Sequence, residues 1–257
     1  MAEDYLLNGI LHCGECGTPK ETIVTIFGIE KKVPCLCECE YDAFKKDKDE
    51  RIARQFEIEA SIRRTDSILD GKLREASFEN AEDSKNVQTC KKYAAMWDKM
   101  KVDNQGLLMW GDIGTGKTFC AACIANELIS KGKQVLMTSF PRILNGGFDK
   151  REVVAKIQTY DLVIIDDLGT ERKSPYAMET VFYVIDERYR AAKPLIVTTN
   201  LSLKEIKQEK DMDYKRIYDR VLEMCVPMNF SNDGYRPKIS GEKLNEMNRL
   251  YKNKAGA

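Results

Sequence analysis

An eight-residue segment, Gly111–Thr118, constrains this chain more than any other. It reads Gly-Asp-Ile-Gly-Thr-Gly-Lys-Thr, which has the glycine, lysine and threonine spacing of a phosphate-binding loop. The apolar run Gly106–Trp110 precedes it and a helix-favouring stretch, Phe119–Leu128, follows it. A glycine-rich turn before an ordinary core helix is the alternative, and the flanking strand and helix patterns make it the less favoured one. We therefore expect this loop to bind a nucleoside triphosphate.

The residue types of the loop match the chemistry of phosphate binding. Glycine allows tight turns in which successive backbone N–H groups point at phosphate oxygens, and the N-terminus of the following helix adds a positive dipole. We expect Lys117 to contact the β- and γ-phosphates of ATP and Thr118 to coordinate Mg²⁺. The predicted nucleotide-binding residues are Gly111, Asp112, Ile113, Gly114, Thr115, Gly116, Lys117, Thr118 and Phe119.

Composition narrows the class of protein. Of 257 residues, 43% are hydrophobic, and the 41 basic residues equal the 41 acidic ones, so no overall positive charge indicates nucleic-acid binding. His12 is the only histidine, which excludes Ser-His-Asp hydrolysis and two-histidine metal catalysis. The N-terminal residues lack a signal-peptide pattern, and no apolar run approaches the ~20 residues of a membrane span. We expect a cytoplasmic protein that does not bind membranes.

Five of the nine cysteines fall within 27 residues near the N-terminus. They form a pair and, after an 18-residue spacer, a triplet: Cys13 and Cys16, then Cys35, Cys37 and Cys39. Without a secretion signal, such cysteines are more typical of metal ligands than of disulfides, and four thiolates suit tetrahedral Zn²⁺. The predicted zinc ligands are Cys13, Cys16, Cys37 and Cys39, with Cys35 or His12 as substitutes. Uncoordinated reduced cysteines are the alternative.

The composition also divides the chain into three predicted regions. Residues 1–41 form a zinc-binding domain with a hairpin-like stretch at 22–28, residues 42–75 form a charged helical linker, and residues 76–257 form the main domain. Predicted strands lie at 106–110, 134–139, 161–166 and 194–200, and helical patterns at 117–131, 150–158 and 175–191. Strands without polar alternation, separated by helices, predict a parallel sheet covered on both faces. We expect an α/β fold, a doubly wound P-loop ATPase core.

The strand predicted at 161–166 ends at Asp166, and a second acidic residue, Asp167, follows directly. Asp166 lies 49 residues (166 − 117) after Lys117. We expect this strand to run beside the P-loop strand, so that Asp166 joins the Mg²⁺ shell and Asp167 positions the attacking water. Ordinary helix capping is the alternative.

Three further polar residues are candidates for the catalytic set. Asn200, at the tip of the last predicted strand, is expected to orient the water or sense the γ-phosphate, or else to cap the helix beginning near Ser202. Arg220 and Arg236 are candidates for stabilising charge on the transferring phosphoryl group, with a solvated surface position as the alternative for each. The predicted catalytic residues are Lys117, Asp167, Asn200, Arg220 and Arg236.

The ordered motifs resemble the DnaC/DnaI/IstB branch of AAA+ ATPases over roughly residues 76–240. The motifs are Gly111–Thr118, Ile164–Glu171, Ile196–Ser202, Arg216–Arg220 and Gly234–Arg236. By that resemblance Asn200 would be the sensor 1 residue, Arg220 an arginine finger acting on the next subunit, and Arg236 the sensor 2 arginine. Asp167 departs from the Asp-Glu pair usual in AAA+ proteins, which favours slow water activation and a switch over a motor.

The cysteine-containing N-terminal region is similar to that of DnaC-like loaders of Gram-positive bacteria and their phages. The resemblance implies an ATP-dependent loader of the hexameric replicative helicase onto single-stranded DNA. Such a loader would use ATP, Mg²⁺ and Zn²⁺, would self-associate in the presence of ATP or its partner, and would grasp the helicase through residues 1–41. An IstB-like transposition helper acting on target DNA is the runner-up, and a nucleotide-binding module without turnover is the third hypothesis.

Two expectations concern the end of the chain. Only 57 residues (257 − 200) follow Asn200, which predicts a reduced or absent helical lid and partner-dependent assembly. Residues 234–257 carry 6 basic and 2 acidic side chains. This composition is compatible with DNA contact, although a solvated tail is the favoured interpretation.

Overall fold

The computed structural model describes residues 2–68, 70–145, 157–171 and 174–230. Its residues group into two units, an N-terminal unit (Met1–Glu59) and a C-terminal unit (Ala60–Ala257). The boundary between them falls inside helix α1 (Glu38–Ser67). Among the described residues, no helix combines the length and the apolar character that a bilayer span requires.

Two β-hairpins make up most of the N-terminal unit. They are β1 (Tyr5–Leu7) with β2 (Ile10–His12), and β3 (Glu21–Ile26) with β4 (Ile29–Pro34). Each hairpin has a two-residue turn with both residues in the left-handed region, Asn8-Gly9 in the first and Phe27-Gly28 in the second. Asn-Gly is a common pair for such a turn, whereas Phe27 adopts φ 51° although it is a bulky residue. The second hairpin contains the stretch 22–28 that the sequence predicts.

A parallel sheet forms the centre of the C-terminal unit. Before it come a 3₁₀ turn (Gly71–Glu75), α2 (Lys85–Ala95) and α3 (Trp97–Val102). The strands are β5 (Gly106–Trp110), β6 (Val135–Ser139), β7 (Leu162–Leu168), β8 (Leu195–Thr199) and β9 (Cys225–Asn229). The remaining helices are α4 (Lys117–Ser130), α5 (Phe140–Asn145), α6 (Pro175–Arg190), α7 (Leu203–Lys207) and α8 (Met212–Met224).

Successive residues of the central strands point into two separate hydrophobic clusters. In β7, Leu162 and Ile164 lie in a cluster with helices α2 and α4, while Val163 and Ile165 lie in a second cluster with α6 and α8. Both faces of the sheet are therefore covered, which is why its strands read as continuous apolar runs. The predicted α/β core with a parallel sheet is confirmed.

The strand order, β6-β7-β8-β5-β9, corrects two details. First, β7 does not run beside the P-loop strand β5, because β8 lies between them. Second, β9 was not predicted from the sequence. It contains Pro227, which cannot donate a ladder hydrogen bond, and it is accommodated at the edge of the sheet, where among the described strands β9 pairs only with β5.

The predicted helices at 117–131 and 175–191 correspond to α4 and α6. Most of the helical pattern predicted at 150–158, and the whole of the tail from 231 onward, lie outside the described residues. The predicted charged linker, 42–75, contains most of α1 and the 3₁₀ turn.

Candidate nucleotide-binding and metal sites

The loop between β5 and α4 has backbone conformations that favour glycine. Gly111, Gly114 and Gly116 have φ angles of 132°, 82° and 91°, all in the region that L side chains rarely adopt. Gly116 stands immediately before α4, so the N–H groups of the first helical turn face the loop. This geometry suits the binding of an anion such as a phosphate group.

The side chain of Lys117 lies over this loop. Its Nζ atom donates to the carbonyl oxygen of Gly111 at 2.8 Å and to that of Asp112 at 2.6 Å. Lys117 is only 5% exposed. The loop's own carbonyl groups therefore hold the ammonium group at the place where phosphate oxygens would be recognised.

The side chains of Thr118 and Asp166 are in contact although β5, which precedes the P-loop, and β7, which carries Asp166, are not neighbouring strands. The Thr118 hydroxyl donates to Oδ1 of Asp166 at 2.8 Å. Because the strands are parallel, the carboxyl ends of β5 and β7 reach the same edge of the sheet even with β8 between them. A hydroxyl and a carboxylate are oxygen ligands of the kind that Mg²⁺ prefers, so these residues fit a magnesium ion bound together with a nucleotide.

A bulge sets the conformation of Asp167. The pairing of β7 with β8 shifts register between Ile165 and Leu168, and Asp167 has φ 54°. Its N–H donates to Oγ1 of Thr198 at 2.9 Å. The bulge therefore gives the two adjacent carboxylates, Asp166 and Asp167, different backbone surroundings at the edge of the sheet.

Asn200 is exposed and directly follows β8. The alternative that it caps the next helix is wrong, because Ser202 is the N-cap of α7 and forms a capping box with Glu205. Asn200 lies at the same edge of the sheet as the P-loop, and its role there stays a prediction.

Arg220 contacts residues of its own chain. Its Nη2 lies 2.8 Å from Oδ1 of the buried Asp186, and its guanidinium carbon lies 4.5 Å from the ring centroid of Phe182 and 5.8 Å from that of Tyr189. Within the described part of the chain, Asp186 Oδ1 and Arg220 Nη1 have no partner with hydrogen-bond geometry, so the contact with Asp186 is an ion pair and not an aligned hydrogen bond. Arg236 lies outside the described residues.

The four predicted zinc ligands of the N-terminal unit come together. The Sγ atoms of Cys13, Cys16, Cys37 and Cys39 all lie within 4.8 Å of one another. Cys39 Sγ is 3.6 Å from Cys13 Sγ and 3.3 Å from Cys37 Sγ. Zinc–sulfur bonds of about 2.3 Å place tetrahedral ligands ~3.8 Å apart, so this cluster fits Zn²⁺.

The surroundings of the cluster distinguish its members from the substitutes. The Thr18 hydroxyl lies 3.0 Å from Cys16 Sγ and is the largest of several contacts that lower the pKa of Cys16 to about 6, which favours the thiolate, whereas burial raises the pKa of Cys37. Cys35 instead directs its thiol to the carbonyl of Pro19, and His12 Nδ1 contacts the carbonyl of Ile10. Neither substitute belongs to the cluster.

Comparison with known proteins agrees with this geometry. A family model described as IstB-like ATP binding protein matches residues 42–243. The chain belongs to this family. The match includes every predicted nucleotide-site residue and excludes the cysteine cluster, so the family accounts for the nucleotide site and not for the metal site.

Two named relatives extend the comparison. The replicative helicase loader DnaC of Escherichia coli strain K12 is 28% identical over 142 residues, which are 52% of this chain and 57% of that protein. The replicative helicase loader DnaI of Bacillus subtilis strain 168 is 26% identical over 148 residues, 51% of this chain and 48% of that protein. The chain thus spans about half the length of these curated relatives.

Solved structures show the same fold. A crystal structure of DnaI matches with a TM-score of 0.56 and 19% identity, over 66% of this chain and 95% of that one. The DnaC helicase loader matches with a TM-score of 0.51 and 20% identity, over 62% and 99%. AMPPCP-bound DnaA from Aquifex aeolicus has a TM-score of 0.50 and 20% identity, over 71% and 57%. This member of the IstB-like family therefore shares the α/β fold of these structures.

Two site residues were missed by sequence reasoning. Thr198 contacts both predicted acids, and its signal was the polar end, Thr-Thr-Asn, of an otherwise apolar strand. Asp186 pairs with Arg220, but an acidic residue in an amphipathic helix carries no sequence signal that separates it from a solvated one.

Proposed function

We propose that this protein is an ATP-hydrolysing loader of the replicative DNA helicase. Its membership of an ATP-binding family and its relatives named as helicase loaders support the proposal. The observation that carries the ATPase part is the 2.8 Å contact of Thr118 with Asp166 beside the buried Lys117. A passive phosphate-binding turn needs only the loop, whereas a carboxylate delivered to the loop threonine suits a nucleotide bound with Mg²⁺.

In this proposal the residues at the edge of the sheet have separate roles. Lys117 and the loop N–H groups bind the phosphates, Thr118 and Asp166 hold Mg²⁺, and Asp167 with Asn200 orients the attacking water. When bound, Mg²⁺ supplies charge neutralisation between the β- and γ-phosphates. The shorter carboxylate of Asp167 favours slow hydrolysis, as suits a switch.

Arg220 is proposed to act on the nucleotide of a neighbouring copy when the protein self-associates with ATP or its partner. Its guanidinium group is held by the ion pair with Asp186 and by the rings of Phe182 and Tyr189. These contacts fix the direction of the side chain on α8, and pre-orientation of a charged group lowers the entropic cost of a new contact. Arg236 is proposed as the second phosphate-sensing arginine.

The N-terminal unit is proposed to dock on the helicase. Paired residues of the second hairpin share a face, and one face carries Val24, Ile26 and Ile29, all exposed. Phe27, at the turn beside them, has its whole side chain exposed. An exposed apolar face of this kind is typical of a protein-binding surface.

The direct test is size-exclusion chromatography with light scattering of the zinc-loaded protein, its host's replicative helicase and ATP. We expect a defined complex that is lost in Phe27→Ser combined with Ile29→Ser. As a matched control, Val102→Ser changes an exposed apolar residue of the C-terminal unit (85% exposed). Separate elution of the wild-type protein and the helicase would contradict the loader function, and single-strand-stimulated ATPase would then point to a different remodelling partner, such as a transposase.

The catalytic assignments have their own test. Lys117→Ala is expected to abolish nucleotide binding, whereas Arg220→Ala is expected to retain binding and to lose ~10³-fold or more in stimulated turnover. Arg216→Ala is the control, since Arg216 lies on the same helix with its side chain 65% exposed. Equal turnover in the two arginine variants would refute the role of Arg220.

A further inference from the structure

Two adjacent threonines, Thr198 and Thr199, end strand β8, and both are completely buried. The Thr199 hydroxyl donates to the carbonyl of Leu168 at 2.7 Å and accepts the N–H of Leu201 at 3.1 Å. Both of these hydrogen bonds join the Thr199 hydroxyl to backbone groups. The Thr198 hydroxyl makes a different pair of contacts, and both involve the predicted catalytic acids.

Thr198 connects Asp166 to Asp167. Its Oγ1 atom donates to Oδ1 of Asp166 at 2.6 Å and accepts the backbone N–H of Asp167 at 2.9 Å. Oδ1 of Asp166 also accepts from the Thr118 hydroxyl at 2.8 Å. One carboxylate oxygen therefore receives two hydroxyl donors, one from the P-loop helix and one from the strand between the two site strands.

These contacts restrict the carboxylate of Asp166. A buried hydrogen bond is stronger than an exposed one, and a partner behind a metal ligand fixes the direction in which the ligand presents its oxygen atoms. With Thr198 in place, Asp166 keeps one oxygen toward β8 and the P-loop. Without it, Oδ1 of Asp166 would keep the Thr118 donor but lose one of the two hydroxyl groups that orient it.

The same hydroxyl supports the unusual backbone of Asp167. A residue other than glycine at φ 54° costs about 1–3 kcal/mol unless its surroundings hold it there. The bulge between Ile165 and Leu168 turns the N–H of Asp167 toward a side chain, and that side chain is Thr198. Losing the hydroxyl would leave this N–H without its acceptor and release the local conformation.

We propose that Thr198 is a positioning residue for magnesium binding and hydrolysis, because its single hydroxyl sets Asp166 and Asp167 in fixed relation to each other. The inference rests on the proposed ATPase function for its catalytic part. Thr198 acts through the carboxylate of Asp166 and the backbone N–H of Asp167, and is not proposed as a ligand of the metal or the nucleotide.

The test compares Thr198→Val with Thr199→Val, since both changes remove a buried hydroxyl from the same strand and keep the side-chain shape. Mn²⁺ affinity is measured by electron paramagnetic resonance in the presence of AMPPCP, and ATPase rates are measured as a function of Mg²⁺ and ATP. We expect Thr198→Val to weaken Mn²⁺ binding 10- to 100-fold and to lower kcat with less than about a 3-fold change in KM for ATP. Thr198→Ser should restore both properties to within about 3-fold of wild type.

Thr199→Val is expected to keep wild-type metal affinity and kcat in its folded fraction. If Thr198→Val fails to fold, Thr198→Ala and Thr198→Ser form the replacement pair, because they differ by the hydroxyl alone. Equal Mn²⁺ affinity and kcat in Thr198→Val and Thr199→Val, or in the Ala and Ser variants, would overturn the positioning role. A wild-type protein that binds Mn²⁺ with AMPPCP but does not hydrolyse ATP would refute the ATPase function, while the affinity comparison would still decide the inference.

Discussion

The two units of this protein are stabilised in different ways. Within its described residues, the N-terminal unit buries only two hydrophobic side chains, Cys13 and Cys37, and both belong to the sulfur cluster. The C-terminal unit has two hydrophobic clusters that cover both faces of a five-stranded sheet. We therefore expect the fold of the first unit to depend on a bound metal, whereas the second unit is stabilised by its apolar core.

Metal removal should give the largest difference in stability between the two units. Structural zinc contributes about 10–16 kcal/mol in zinc-finger peptides, and the described residues of the N-terminal unit form no apolar core that could replace that contribution. After chelation under reducing conditions we expect the amide signals of β3 and β4 to collapse to unfolded positions in NMR spectra. Nucleotide binding by the C-terminal unit should change by less than about 2-fold, because its core is independent of the metal.

Cysteine variants provide the control for metal removal. Cys37→Ser should reproduce the effect of the chelator, and Cys35→Ser should retain a full equivalent of zinc, because Cys35 lies outside the cluster. Mass spectrometry is used to verify that zinc has been removed. If the hairpin signals then remain at their folded positions, the N-terminal unit does not depend on zinc, which would contradict the proposed difference between the two units.

The second-largest expected loss of stability concerns a buried polar side chain of the C-terminal unit. Arg188 is fully buried and donates to four backbone carbonyl groups. The acceptors are Ile157, Tyr160, Asp161 and Pro194. Because Arg188→Met would leave these acceptors without their donor, we expect a loss of about 3–5 kcal/mol in the free energy of unfolding, measured by urea denaturation.

Arg216→Met is the matched control for Arg188. Its side chain is 65% exposed and lies 3.9 Å from Asp213, so we expect a change within about 0.5 kcal/mol. Zinc content should be unchanged in both variants. A cost below about 1 kcal/mol for Arg188→Met would show that water replaces the guanidinium group.

A smaller effect is expected from a single methylene group of the apolar core. Ile164 is completely buried in β7. Ile164→Val should lower the free energy of unfolding of the C-terminal unit by about 0.5–1.5 kcal/mol. The same kind of change in the N-terminal unit, at Ile23 (49% exposed), should have almost no effect. If the two substitutions lowered the free energy of unfolding equally, the two units would not differ in their dependence on an apolar core.

The smallest expected change in the free energy of unfolding is a gain in stability and not a loss. Asn8 and Phe27 occupy equivalent positions in the two hairpin turns, each with φ 51° and each followed by glycine. Since asparagine tolerates this conformation better than phenylalanine, Phe27→Asn should stabilise the second hairpin by about 0.5–1 kcal/mol. Hydrogen exchange of β3 and β4 in the zinc-loaded protein measures this gain. Faster exchange in the variant would mean that the Phe27 side chain supports its own turn.

Much of the candidate site followed from local sequence. The P-loop needs glycines with positive φ, a lysine and a threonine in fixed order, and the four thiolates come from two closely spaced groups. Four of the five core strands were predicted because buried parallel strands are continuous apolar runs. Strand β9 was missed because its Pro227 argues against a strand unless the strand lies at a sheet edge, and edge position is not a local property.

The sequence alone thus predicted which residues would bind phosphate and determined which thiols group together, since backbone freedom and ligand chemistry act over a few residues. Only the tertiary structure decided that β8 separates β5 from β7, and this placement brings the Thr198 hydroxyl to Asp166 and Asp167. It also decided that Arg220 meets Asp186 across two packed helices. Such contacts depend on strand order and helix packing, which arise from the burial of apolar surface along the whole C-terminal unit and not from any single motif.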